Sequence, residues 1–126
     1  MKRIISTDEA PAAVGAYSQA ATDDSLLFTA GQIPLTTDDE LLDDEPIERQ
    51  TEQALDNLVA VLEEGGADVG DILKVTIFLD DIGDFDAMNE TYAGYFDDEP
   101  PARSAVEVAA LPKGVGVEVE AIASLE

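Results

Sequence analysis

An α+β fold, a mixed β-sheet with two helices on one face, is predicted by three features of the sequence. The apolar period changes to that of a helix after Pro46, a second helical stretch follows near Asp84, and β-rich runs flank both. The element order is β-β-β-α-β-α-β-β. The chain has 126 residues, 45% of them hydrophobic, with no repeat, linker or break in composition. Residues 1–126 are therefore expected to form a single domain.

Lys2–Ser6 is a short strand candidate, and a loop with Pro11 and Gly15 follows it. Tyr17–Ala20 and Ser25–Ala30 read as strands, with Thr22-Asp23-Asp24 between them as a turn. Gly31 through Glu45 is a polar loop. Pro46 suits the first turn of a helix, and the acids before it favour the helix's positive end. Ile47, Thr51, Ala54, Leu55, Leu58 and Leu62 recur at steps of three and four, making one apolar face. Gly65-Gly66 allows a left-handed cap. Asp71–Leu79 is a well-covered strand. Asp84–Phe96 is the second helix, with Phe85, Met88, Tyr92 and Phe96 on one face. Arg103–Leu111 and Val115–Ser124 are strands, and the Pro112-Lys113-Gly114 turn predicts that they pair antiparallel. In the last strand Val115, Val117, Val119 and Ala121 share one face, and Glu118, Glu120 and Ile122 the other. Two helices cover only one face of such a sheet, so self-association is the expected cover for the other.

Absent residues narrow the chemistry. The chain has no Cys and no His. That excludes disulfides, thiolate nucleophiles, imidazole bases and His- or Cys-ligated metal. Six cations stand against 29 acids, a formal charge of −23. Acidic pairs such as Asp23-Asp24, Asp43-Asp44 and Asp80-Asp81 run from end to end. Neighbours within each pair lie inside the ~8 Å screening length of physiological salt. The pattern predicts halophilic adaptation to a salt-rich cytoplasm, rather than an acidic tail. A calcium loop starting at Asp84 fails, because Met88 and Asn89 fall where an acid and a glycine are needed. No metal site is expected. Nucleic acid is disfavoured because no basic stripe exists. No apolar run approaches a membrane span, and Met1–Ser6 is followed by no signal-peptide core, so a cytoplasmic location is expected.

A few residues carry candidate chemistry. Arg103 enters a strand whose alternate face also carries Ala105 and Glu107. It is either an ion-pair partner of Glu107, Glu118 or Glu120, or a fork that grips a substrate carboxylate. Tyr17 reads as packing in the core or at a rim, Asn89 as surface, and Gly31 as a turn residue or a point of close backbone approach. Glu118 and Glu120 are solvated edge groups or the lining of a cleft between subunits.

Six stretches, taken in order, carry a resemblance: Ala10–Gln19 (APAAVGAYSQ), Thr29–Pro34 (TAGQIP), Val69–Thr76 (VGDILKVT), Met88–Tyr92 (MNETY), Pro101–Val108 (PARSAVEV) with Leu111–Lys113 (LPK), and Val117–Ile122 (VEVEAI). Together they resemble the Rid (YjgF) family, and most closely its RidA-type reactive-intermediate deaminases. The resemblance implies a chorismate-mutase-like fold and a homotrimer with clefts between subunits. It implies hydrolysis of 2-imino and 2-enamino acids, such as 2-iminopropanoate and 2-iminobutanoate, to 2-oxo acids and ammonia without a cofactor. By position, Arg103 would hold the carboxylate and Glu118 would orient the attacking water. Tyr17, Gly31, Asn89 and Ala105 would shape the pocket. Two positions depart from many active members: Ala30 stands in place of Ser, and Ala105 in place of Cys. The alternative from another class is a non-catalytic trimeric module that binds small carboxylates or protects proteins as a holdase.

Overall fold

A computed structural model describes residues 1–126. The chain runs β1 (Arg3–Ile5), β2 (Ala20–Thr22), β3 (Leu26–Thr29), α1 (Ile47–Glu64), β4 (Ile72–Leu79), α2 (Phe85–Ala93), β5 (Ala102–Glu107) and β6 (Val117–Ser124). The predicted order of elements is observed.

The apolar stripe of α1 sets the layering. Thr51, Ala54, Leu55, Leu58, Val61 and Leu62 are all buried, and the helix packs across β6 and β3 and against α2. Pro46 is the cap residue just outside the helix. Gly66, not Gly65, takes the left-handed position, at φ 93°. The second helix is shorter than expected: Gly94 caps it. Phe96 lies beyond the helix but still packs on Tyr92, with ring centroids 4.7 Å apart. No helix is long and apolar enough to cross a membrane.

The six strands form one mixed sheet in the order β1-β2-β3-β6-β4-β5, with only β4 and β5 parallel. The second strand begins three residues later than predicted, so Tyr17 lies in the loop before it. The Asp23 carboxylate accepts the Ser25 and Leu26 N–H groups at 2.9 and 3.0 Å. That Asx turn moves the hairpin bend one residue on and leaves Thr22 in the strand.

The antiparallel β5–β6 hairpin does not form. β6 lies between β3 and β4, and β4 separates it from β5. Val117, Val119, Ala121 and Ala123 are all buried on one face of β6, so this strand belongs at the centre. β5 has no buried residue and takes the edge. It follows α2 as the return strand of a β-α-β crossover, which dictates parallel pairing with β4. Residues 108–116 then carry the chain across to the centre of the sheet.

Both helices cover the face bearing Val75, Ile77, Leu79, Val117 and Val119. On the other face, register aligns Ile4, Ala21, Phe28, Ile122 and Lys74 in one row. Ile4, Phe28, Leu73 and Val106 are exposed large hydrophobics. Within one chain, this face has no cover.

Candidate active site

Glu118 projects from the open face of β6 into a cleft of about 600 Å³. The cleft is bounded by the 11–19 loop, the segment after β3 and the turn before β6. Tyr17, Gly31 and Lys113 line it with Glu118, and Pro11, Ala30 and Ile33 give it apolar walls. Gly31 is held over β6 by its neighbour: Gln32 and Val119 exchange backbone hydrogen bonds of 2.7 and 3.0 Å. The Glu118 carboxylate fills the space a side chain at residue 31 would need, its Oε2 lying 2.5 Å from where a Cβ would stand. Glycine at position 31 is thus a condition for where Glu118 points. Burial, and then the charge of Glu120, push the Glu118 carboxyl above its usual pKa.

Two buried amides fix the walls. The Gln19 side chain accepts the Thr7 N–H at 2.6 Å and donates to the Thr7 and Pro11 carbonyls at 3.1 and 2.8 Å. Asn57 reaches from α1 to the Ile33 and Leu35 carbonyls at 3.0 and 2.9 Å. Both tie loop backbone to side chains that are themselves buried.

Arg103 lies elsewhere. It sits on β5 in register with Val75, on the helix side of the sheet, whereas Glu118 and Glu120 face the open side. The expectation that Arg103 neighbours these acids and neutralises one of them is therefore wrong within a single chain. β4 stands between them, and the faces are opposite. Nor does Glu107 pair with Arg103; it accepts the Ile82 N–H at 2.8 Å. The only ion pairs are Arg3–Asp24 and Arg49–Glu52. Arg103 instead donates from Nη1 to Asn89 Oδ1 at 2.6 Å. Its guanidinium carbon lies 4.7 Å from the centre of the Tyr92 ring and 5.3 Å from that of Phe85. Asn89 is thus no idle surface residue. Ala105, two residues along β5 on the same face, packs against the core and leaves Arg103 a small-residue neighbour. A second hollow of about 350 Å³ opens beside Arg103, Asn89 and Tyr92.

The six predicted site residues therefore fall into two groups. Tyr17, Gly31 and Glu118 share one cleft; Asn89, Arg103 and Ala105 cluster at the free edge of the sheet. Sequence reasoning missed Lys113. This unpaired cation lines the Glu118 cleft with a left-handed backbone, φ 58°, a conformation found disproportionately at functional sites. Its signal is present in the sequence, where it is one of only three lysines and lies both in a turn and in a stretch that carries the family resemblance. No group of three or more acids is arranged to hold a metal ion.

The endoribonuclease L-PSP family profile matches residues 7–125. A RutC family protein of Pyrococcus horikoshii is 48% identical over the whole of both chains. The 2-iminobutanoate/2-iminopropanoate deaminase of Rattus norvegicus is 44% identical over 98% of this chain and 90% of its own length. Among solved structures, the YjgF gene product of E. coli superposes with a TM-score of 0.93 at 42% identity, covering 98% of this chain and 99% of that one. E. coli TdcF with bound serine gives 0.91 at 42% identity, covering 97% and 98%. With two helices on a six-stranded mixed sheet and this likeness along its length, the chain belongs to the Rid (YjgF) family, the one described by the endoribonuclease L-PSP profile.

Proposed function

We propose that the protein hydrolyses reactive 2-imino acids, 2-iminobutanoate and 2-iminopropanoate among them, to 2-oxo acids and ammonia. The observation that carries this reading is an arginine without a carboxylate partner in a chain with 29 acids. Abundance alone would give Arg103 an acid; its position denies it one and leaves the fork free for a ligand's carboxylate. The deaminase relatives support the same chemistry.

The two groups of site residues can act together only if a second copy supplies one of them. A homotrimer does this: the edge strand of one subunit brings Arg103 and Asn89 to the Glu118 cleft of its neighbour, and the uncovered sheet face is buried. Arg103 then holds the substrate carboxylate, and Glu118 accepts a hydrogen bond from the attacking water. Water oxygen bonds to the imine carbon, and its proton passes through Glu118 to nitrogen. Glu118 then takes the carbinolamine hydroxyl proton and passes it to nitrogen, the C–N bond breaks, and ammonia leaves as the carbonyl forms. The upward shift that burial and Glu120 give the Glu118 carboxyl makes it a stronger base for this two-way transfer than an ordinary carboxylate. Imines are already labile, so a 10³-fold acceleration requires only ~4 kcal/mol.

The test is to generate 2-aminoacrylate with a dehydratase in high salt and follow imine loss with and without the protein. Accelerated loss is expected, and Arg103→Lys should reduce turnover at least ~tenfold by losing the bidentate fork. No acceleration at any salt or pH would leave a carboxylate-binding or protein-protecting module as the better reading.

A further inference from the structure

We infer that Phe85 and Tyr92 are positioning residues that hold the Arg103 guanidinium ready for the substrate carboxylate. This rests on the deaminase reading above. Phe85, Asn89 and Tyr92 are spaced four and three residues apart, so they share one stripe of α2. Arg103 lies against that stripe. Its guanidinium carbon is within cation–π range of both rings, 4.7 Å from Tyr92 and 5.3 Å from Phe85. Asn89 Oδ1 takes one Nη1 hydrogen at 2.6 Å. No other group accepts from the Arg103 side chain, and the ion pairs of the chain leave it out. The three α2 side chains thus take one N–H and set two rings within cation–π range of the guanidinium, and its remaining donors have no acceptor.

The Tyr92 hydroxyl does not share this work. It is buried without a hydrogen-bond partner. Burial raises its pKa, so it is a neutral phenol and no counterion for Arg103. The ring is what Arg103 uses. A free arginine on an edge strand would sample many rotamers. Two aromatic faces and one amide restrict it before substrate arrives, which lowers the entropy lost on binding.

The test measures KM for 2-iminobutanoate and Kd for 2-oxobutanoate on the assembled protein in molar salt. Tyr92→Leu should raise both about tenfold while kcat changes about threefold or less. Phe85→Leu, at the more distant ring, should raise both a few-fold. Tyr92→Phe keeps the ring and should recover most of the affinity lost in Tyr92→Leu. It should also melt no lower than wild type, since it removes an unsatisfied buried hydroxyl. In an Arg103→Lys background, Tyr92→Leu should have much less effect, because the residue acts through the guanidinium. Should Tyr92→Leu fail to fold, Phe85→Leu on the half-buried ring tests the same inference through its few-fold rise in KM and Kd. Wild-type KM and Kd in a folded ring-deleted variant would overturn the inference and leave the deaminase reading standing. A wild-type protein that binds 2-oxobutanoate, loses it on ring deletion and hydrolyses no imine would overturn the deaminase reading alone. A wild-type protein that does neither would overturn both.

Discussion

In the proposed mechanism Glu118 moves the proton, and it has the clearest pH signature of the site candidates. Its carboxyl is pushed up by burial and by Glu120. The folded state therefore holds that proton more tightly than the unfolded chain, and stability falls as pH rises from the ordinary carboxylate value through the raised one. Glu118→Gln removes this destabilisation, so the variant should melt at or above the wild-type temperature at neutral pH. Its turnover should fall ~10²-fold or more, as expected for loss of a positioned acid–base. Analogue binding should stay within a few-fold, because Arg103 still holds the carboxylate. The wild-type pH–rate profile should have an acidic limb above the usual carboxylate range, and that limb should vanish in the variant. Oxobutanoate release across pH, analogue affinity and thermal melting measured on one preparation check all four. Collapsed binding with a normal rate per bound substrate would make Glu118 architectural. The six candidate site residues could be named from the sequence because the Arg103 and Glu118 motifs are short and linear. Their separation into two groups could not, because no local pattern states which strand lies beside which.

At the level of elements, local signals performed where the cause is local. The apolar stripe of α1 buried as its spacing required, and the alternation of β6 put Glu118 and Glu120 on the open face. The β5–β6 hairpin failed because a turn motif says only that the chain bends. Strand adjacency was decided instead by which strand carries enough apolar residues to sit at the centre. Two glycines separate a structural demand from a functional one. Gly66 has φ 93° with nothing within 4 Å of a would-be Cβ, so Gly66→Ala meets only backbone strain and should cost ~1 kcal/mol of stability. Gly31 has an ordinary backbone, and a Cβ there meets only the end of the flexible Glu118 side chain. Gly31→Ala should therefore keep the melting temperature and reduce turnover by displacing the carboxylate. Chemical denaturation and steady-state rates on both variants check the contrast. Equal activity loss in the two would mean that residue 31 matters only for folding.

On the scale of the whole molecule, the charge must be reconciled with assembly. Only Asp24 and Glu52, of 29 acids, are engaged in ion pairs, so the surface field is almost uncompensated. A trimer would bring three chains of −23 together, a formal −69. The exposed apolar row of Ile4 and Phe28 favours association at any salt concentration. The repulsion depends on screening: its range is ~3 Å at 1 M salt, ~8 Å at 0.15 M and ~30 Å at 0.01 M. At molar salt, charges on different subunits scarcely interact and burial of the sheet face decides. In dilute buffer every subunit lies within the field of the other two, and the same acids oppose the compact chain itself. Sedimentation over a salt series should therefore show an intact trimer at molar salt and dissociation or unfolding below ~0.2 M. Turnover should fall over the same range, since in the proposed trimer Arg103 and Glu118 meet only across a subunit boundary. The two curves should coincide, and Arg103→Lys should leave the sedimentation curve in place while lowering turnover throughout. A trimer equally stable in dilute buffer would defeat the salt adaptation. Full activity in a sedimenting monomer would defeat the shared cleft.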